Sequence, residues 1–170
     1  MTDLPIHAHL DRLGIPYRRA SFPTTTEKGA ASVAAALGWR ERQMVKTLVF
    51  ETGDGRRALV MLGGDQNAVS GLLKKALASR DVRMASPEAV VETTGYVIGS
   101  IPPVGWQPPG FVSLLERSLL DEPELGVGTG QWGEEVLIAP ADLVRASGAR
   151  VVNLTDRDRP LEPAQPAQPA

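Results

Sequence analysis

A chain of 170 residues, 42% hydrophobic and 22% charged, has the composition of a globular protein with room for one real core. It contains no cysteine, which excludes disulfide frameworks, thiolate zinc sites and cysteine nucleophiles; a net charge of −2 argues against gripping long nucleic acid by charge alone. No apolar run approaches a membrane span and the N-terminus lacks a signal-peptide layout, so cytoplasmic residence without a membrane partner is expected.

Ile6, Leu10 and Leu13 recur at helical spacing, with Gly14 as a stop signal. His7 and His9 lie two apart in that helix and point in different directions, so they are expected to be solvated and to hold no metal. Ile15 to Phe22 reads as a strand. Thr24–Thr26 can cap a helix over Glu27–Leu37, with Ala30, Val33, Ala34 and Leu37 inward and Gly38 ending it. Thr47–Glu51 and Arg57–Leu62 flank Asp54-Gly55, a hairpin signal. Gly63-Gly64-Asp65 then breaks the chain before a helix whose apolar stripe is Leu72, Leu73, Ala76 and Leu77.

Ser86-Pro87-Glu88 starts a short helix, with serine as cap and proline in the first turn, and Gly95 stops it. Tyr96–Ile98 and Phe111–Leu115 read as strands around a proline loop, and Glu135–Ile138 as another. Pro140 to Leu143 opens a last helix. Helices and strands mix without βαβ alternation, which predicts an α+β fold: a single domain over residues 1–155 with a curved, mixed and largely antiparallel sheet flanked by helices. The tail from Asp156 to Ala170 is Pro/Ala-rich without apolar periodicity and is expected to be disordered.

Two features carry chemistry. Lys46 leads the apolar strand Val45-Lys46-Thr47-Leu48-Val49, and an ammonium against a dry wall acts strongly on a phosphate or carbonyl oxygen. Gly99-Ser100-Ile101-Pro102-Pro103 is stiff and poor in side chains, so its backbone N–H groups can face developing negative charge without reorganising. Gly128-Thr129-Gly130-Gln131-Trp132-Gly133 spells a dinucleotide fingerprint. A strand follows it where that motif requires a helix, so no nucleotide cofactor, or any other, is expected. Arg18, Arg19, Arg40, Arg42, Lys46, Lys74, Lys75, Arg80 and Arg83 crowd the first half, a solvated face or a shared basic patch.

Four blocks in order, VKTLVF (Val45–Phe50), TGYVIGSIPPVG (Thr94–Gly105), VGTGQWG (Val127–Gly133) and APADL near Leu143, resemble the YbaK/ProX family of aminoacyl-tRNA deacylases. That family includes the editing insertion of bacterial prolyl-tRNA synthetases, and the resemblance spans roughly Leu10 to Leu154. It implies a trans-editing hydrolase that cleaves the ester of a mischarged aminoacyl-tRNA without metal. The amino acid would be small and the tRNA that for proline; the partners would be the tRNA acceptor end and a synthetase, not DNA.

By the same resemblance Lys46 anchors the RNA terminus or polarises the scissile ester. Gly99 and Ser100, with Ile101, Pro102 and Pro103, line the aminoacyl pocket and position the hydrolytic water, and Gly130 of the glycine-rich turn and Glu135 join them; Thr47, the strand threonine beside the lysine, is a further candidate for substrate binding. The chain departs from the cysteine-specific members at Phe22 (tyrosine there), Ser100 (glycine), Pro102 (serine), Gly128 (serine, with Thr129 adjacent as a substitute hydroxyl) and Glu135 (aspartate). The alternatives are a non-catalytic module of the same fold that binds tRNA or a synthetase, and a hydrolase of small ester or amide metabolites.

Overall fold

The computed structural model describes residues 2–156; the expected disorder beyond Asp156 lies outside them. Helix α1 (Pro5–Arg12) begins on proline, whose fixed φ suits the first helical position, and buries Ile6, His7 and Leu10. His7 is therefore not solvated: it is 2% exposed, stacks on Tyr17, and its Nδ1 accepts the Leu4 N–H at 2.9 Å. That bond supplies the cap which Leu4 cannot make with its side chain, and burial holds the imidazole below its ordinary pKa.

Strand β1 (Arg18–Ser21) is followed by α2 (Ala30–Leu37). The helix starts three residues later than the threonine run predicts, because Gly29 at φ 119° turns the chain into it and the Thr24 carbonyl accepts the Trp132 indole N–H at 3.1 Å instead. Val33 and Ala34 are buried, and Gly38 in the left-handed region ends the helix. β2 (Lys46–Thr52) and β3 (Arg57–Leu62) form the expected antiparallel hairpin. After α3 (Ser70–Ala76) comes β4 (Val82–Met84), then α4 (Pro87–Thr94), where Ser86 Oγ accepts the Ala89 N–H at 3.1 Å and Gly95 closes in the left-handed region.

Tyr96–Ile98 is not a strand. Glycines with positive φ stand at 95 and 99, the Tyr96 N–H is bound by Thr94 Oγ1 at 3.0 Å, and Val97 and Ile98 are 63% and 50% exposed. β5 (Val112–Glu116), β6 (Leu125–Gly128), β7 (Glu134–Ile138), α5 (Pro140–Ser147) and β8 (Arg150–Val152) follow within the described residues.

The fold is mixed α+β, and its strands fall into two sheets, ordered β1-β7-β6 and β4-β2-β3-β5-β8. Among the described strands β3·β5 and β5·β8 pair in parallel and the other ladders are antiparallel. The sheets meet where Val45 N–H donates to the Gly126 carbonyl at 2.8 Å, beside a bridge between Met44 and Gly126. α3 covers one face of the larger sheet through Leu73 and Ala76 on Val60, Leu62 and Leu114; α4 covers the other through Val90 on Val49 and Leu59. α1 and α5 close the space between the sheets with Ile6, Leu10 and Leu143 against Met61, Leu115, Val136 and Ile138. Each such valine, leucine, isoleucine or methionine contributes about 1.5–3 kcal/mol by burial. Among the described residues no helix is long and apolar enough to cross a membrane.

Candidate functional site

The junction of the two sheets leaves a gap in the β2 ladder. β4 pairs only with Phe50–Thr52, and the Ala85 N–H donates to the Val49 carbonyl at 2.9 Å. At the other end Val45 is tied to Gly126. In an antiparallel ladder successive residues turn their backbone groups to opposite sides, and Thr52 N–H donates across to Arg56 in the β3 hairpin. The even residues of β2 therefore serve β3. The odd ones face away: Val45 and Val49 are engaged, and Thr47 lies between them with its N–H and C=O directed into the gap. Its Oγ1 is enclosed and has no hydrogen-bond partner among the described residues.

A cleft of about 220 Å³ occupies that gap. Val33, Met44, Ile98 and Ile101 give it apolar walls, and Lys28, Lys46, Thr47 and Glu135 give it polar groups. Glycines bring the walls together. A Cβ on Gly128 would stand 3.0 Å from the Ser100 carbonyl oxygen, and one on Gly126 would run into the Met44 methyl. Gly130, at φ 93°, donates its N–H to the Ser100 carbonyl at 2.7 Å and has the Tyr96 ring where a Cβ would go. Gly130→Ala is expected to destabilise the fold by about 1–3 kcal/mol through strain and that clash, a loss of several degrees in Tm by calorimetry.

Lys46 lines the cleft, but its ammonium is already positioned: it donates to the Gln66 carbonyl and, at 3.4 Å, to Asn67 Oδ1. An ammonium has three donors, so one is left for a ligand. Burial lowers the lysine pKa, while the carboxylates of Asp65 and Glu41 act against that. Glu135 reaches the cleft from β7. Its Oε2 is enclosed without a partner among the described residues, and burial raises the carboxyl to about 8. An unpaired acid in an apolar wall costs stability, and such groups concentrate where function requires them.

Of the residues singled out in the sequence, Lys46, Thr47, Gly99, Ile101, Gly128 and Glu135 line this cleft. The others stand behind the lining. Ser100 is buried with its carbonyl bound to Gly130, and the Pro102 and Pro103 carbonyls accept from the Trp106 indole and the Gln107 amide, both at 2.7 Å. Prolines carry no N–H, so backbone donation from this loop falls to residues 99–101. Thr129 Oγ1 is placed between the carbonyls of Gln131 and Glu134 and accepts the Gln131 N–H, which ties the turn. Phe22 is buried and packs edge-on against Trp132 at 4.8 Å. The G-x-G-x-x-G run lies at the tip of the antiparallel β6–β7 hairpin, with no helix after it.

The side of the cleft that sequence reasoning missed comes from the start of α2. Lys28, Gly29 and Ala30 line it, and the Lys28 ammonium lies 3.6 Å from the centre of the ring of Trp132, which joins the lining from the β6–β7 turn. The available signal was Gly29 before an alanine-rich helix. Among the described residues no group of three His, Asp or Glu side chains could hold a metal ion.

The profile of the aminoacyl-tRNA editing domain matches residues 24–146. A multifunctional Ser/Thr-tRNA deacylase, ProXp-y, of Escherichia coli strain K12 is 31% identical over 142 residues, covering 79% of this chain and 84% of that protein. A proline–tRNA ligase of Halalkalibacterium halodurans is 36% identical over 86 residues, 51% of this chain but 15% of the ligase. A crystal structure described as a candidate trans-editing enzyme for prolyl tRNA synthetase superposes with a TM-score of 0.80 at 29% identity, covering 89% of this chain and 95% of that one.

Proposed function

The chain belongs to the aminoacyl-tRNA editing domain family, and from that premise we propose that it is a trans-acting deacylase that hydrolyses mischarged aminoacyl-tRNA carrying a small amino acid. The observation that carries this reading is the gap beside β2, where Thr47 and, from β7, Glu135 present polar groups that have no partner among the described residues inside a small apolar cleft. At about 220 Å³ the cleft is smaller than the roughly 300 Å³ at which drug-sized sites begin, so it suits one short side chain and its ester rather than an aromatic residue.

In this reading the terminal ribose and its phosphate meet the free donor of Lys46, the acyl carbonyl faces the backbone N–H groups of residues 99–101, and the α-amino group meets Glu135. Water adds to the acyl carbon, the bond from that carbon to the ribose oxygen breaks, and the proton lost by the water ends on the ribose hydroxyl. The products are a free amino acid and an intact tRNA end. The ester is already activated, so fixed donors and a held water suffice without a metal.

The names of the relatives point to proline tRNA and to serine and threonine as acyl groups, which sets the test. Release of amino acid would be measured from tRNA for proline charged with alanine, cysteine, serine or threonine, from each cognate pair, and from phenylalanyl-tRNA. Turnover of at least one small mischarged species, with phenylalanyl-tRNA untouched, is expected. Silence on the whole panel from protein that still binds tRNA would favour a non-catalytic module. Equal rates on a free aminoacyl ester and on intact tRNA would favour a metabolite hydrolase.

A further inference from the structure

A second surface leads away from the cleft. Lys46 reaches Gln66 and Asn67, and α3 starts three residues after Asn67. Leu72, Leu73 and Ala76 of this helix are buried, so Gly71 and Lys75 face out, with Lys74 half-buried between them. Beyond its C-terminus lies Arg80. Gly71, Lys74, Lys75, Ala78, Ser79 and Arg80 line one shallow concavity, without an acidic side chain in its wall.

The charge in this concavity is not consumed by any carboxylate among the described residues. Other arginines of the first half are engaged: Arg18 with Glu124, Arg40 with Glu122, Arg42 with Asp65 and Arg83 with Glu51. No ion pair joins Lys74, Lys75 or Arg80 to a carboxylate among the described residues, and nearby Asp81 lies 3.9 Å from Arg83 instead. Two lysines at a helix C-terminus complement its dipole, which accounts for Lys74 and Lys75 but not for Arg80 outside the helix. Gly71 has open space where a Cβ would go, so a backbone can approach the helix closely there.

We infer that this face of α3 holds the phosphate backbone of the substrate RNA, over the stretch that precedes its acylated end. The inference rests on the deacylase reading for the direction of the strand, which has its terminus at Lys46 and its body along α3. Seven helical residues span about 10 Å and Arg80 lies beyond them, so the three cations can meet a short run of phosphates on one strand. A surface of this kind reads no bases; it holds any acceptor end and leaves discrimination to the cleft.

The test uses a labelled, uncharged RNA hairpin that mimics an acceptor stem with an unpaired CCA end, titrated by fluorescence anisotropy at several salt concentrations. Replacing Lys74, Lys75 and Arg80 together by alanine is expected to weaken binding about 10–100-fold at low salt. The slope of log affinity against log salt should flatten by about 2, as expected for three lost phosphate contacts. Turnover of charged tRNA should fall in parallel, and the fall should be far smaller on an aminoacylated CCA trinucleotide. Unchanged hairpin affinity and slope overturn the inference, as does a wild-type protein that binds no hairpin. If hairpin binding is lost in the variant while the wild type deacylates nothing, the surface stands and the deacylase reading falls.

Discussion

Lys46→Ala is expected to lower deacylation of the responsive tRNA about 10²–10³-fold while leaving a folded protein. The size follows from position. The ammonium is held by the Gln66 carbonyl and Asn67, so no rotamer entropy is lost when a phosphate or ester oxygen takes its third donor. Partial burial lowers its pKa by desolvation, and the same dry wall strengthens its pull on an anion. Removing the side chain strands the Gln66 carbonyl, a cost of about 1 kcal/mol, which a small downward shift in Tm would report. Lys46→Arg should rescue little, because a planar fork does not fit the place of a point donor between two oxygens. Single-turnover rates on charged tRNA, beside circular dichroism melts, decide the matter. Near-wild-type turnover in a folded Lys46→Ala protein would remove this lysine from the chemistry.

Much of the fold was legible because its signals are local. Ser86, Gly38 and Gly95 mark helix ends through a hydroxyl cap and left-handed glycines, and Asp54-Gly55 marks the hairpin. Strands β4, β6 and β8 escaped because they span only three or four residues, and β4 and β8 also pair with segments remote in sequence. In β6 the sequence Leu-Gly-Val-Gly reads as a turn, yet those glycines serve close packing on Met44 and Ser100.

The candidate site was legible where residue type and the family resemblance point the same way, as for Lys46 and Gly99, and for Glu135 through the resemblance alone. The exposed backbone of Thr47 could not be read, since it depends on where β4 stops pairing. The start of α2 was obscured by a threonine run that resembles a cap but is drawn toward Trp132. His7 shows the same limit: its solvation depended on a backbone donor at Leu4 and a ring at Tyr17, neither visible as a pattern.

Glu135→Gln is expected to make the protein more stable at neutral pH and a poorer enzyme, a combination that a purely structural residue would not give. Folding raises this carboxyl from 4.5 to about 8 by burial alone. Between those values the native state holds a proton that the unfolded chain has released, so stability falls as pH rises across the window. The penalty at pH 7 is on the order of 3 kcal/mol. A glutamine does not ionise, so the variant should gain stability at pH 7–8, gain little near pH 4, and show a flatter melting temperature against pH. The substrate reverses this logic. An α-ammonium group beside the carboxyl restores a partner to the buried charge, so in the wild type binding draws the Glu135 pKa down again. Without that charge KM should rise about tenfold or more, with a smaller change in kcat. N-acetylation of the aminoacyl group should penalise the wild type and leave the variant nearly indifferent. A variant with unaltered stability across pH 4–8 would refute the buried, unpaired state. A stabilised variant with unaltered KM would place Glu135 in the wall of the cleft rather than on the substrate.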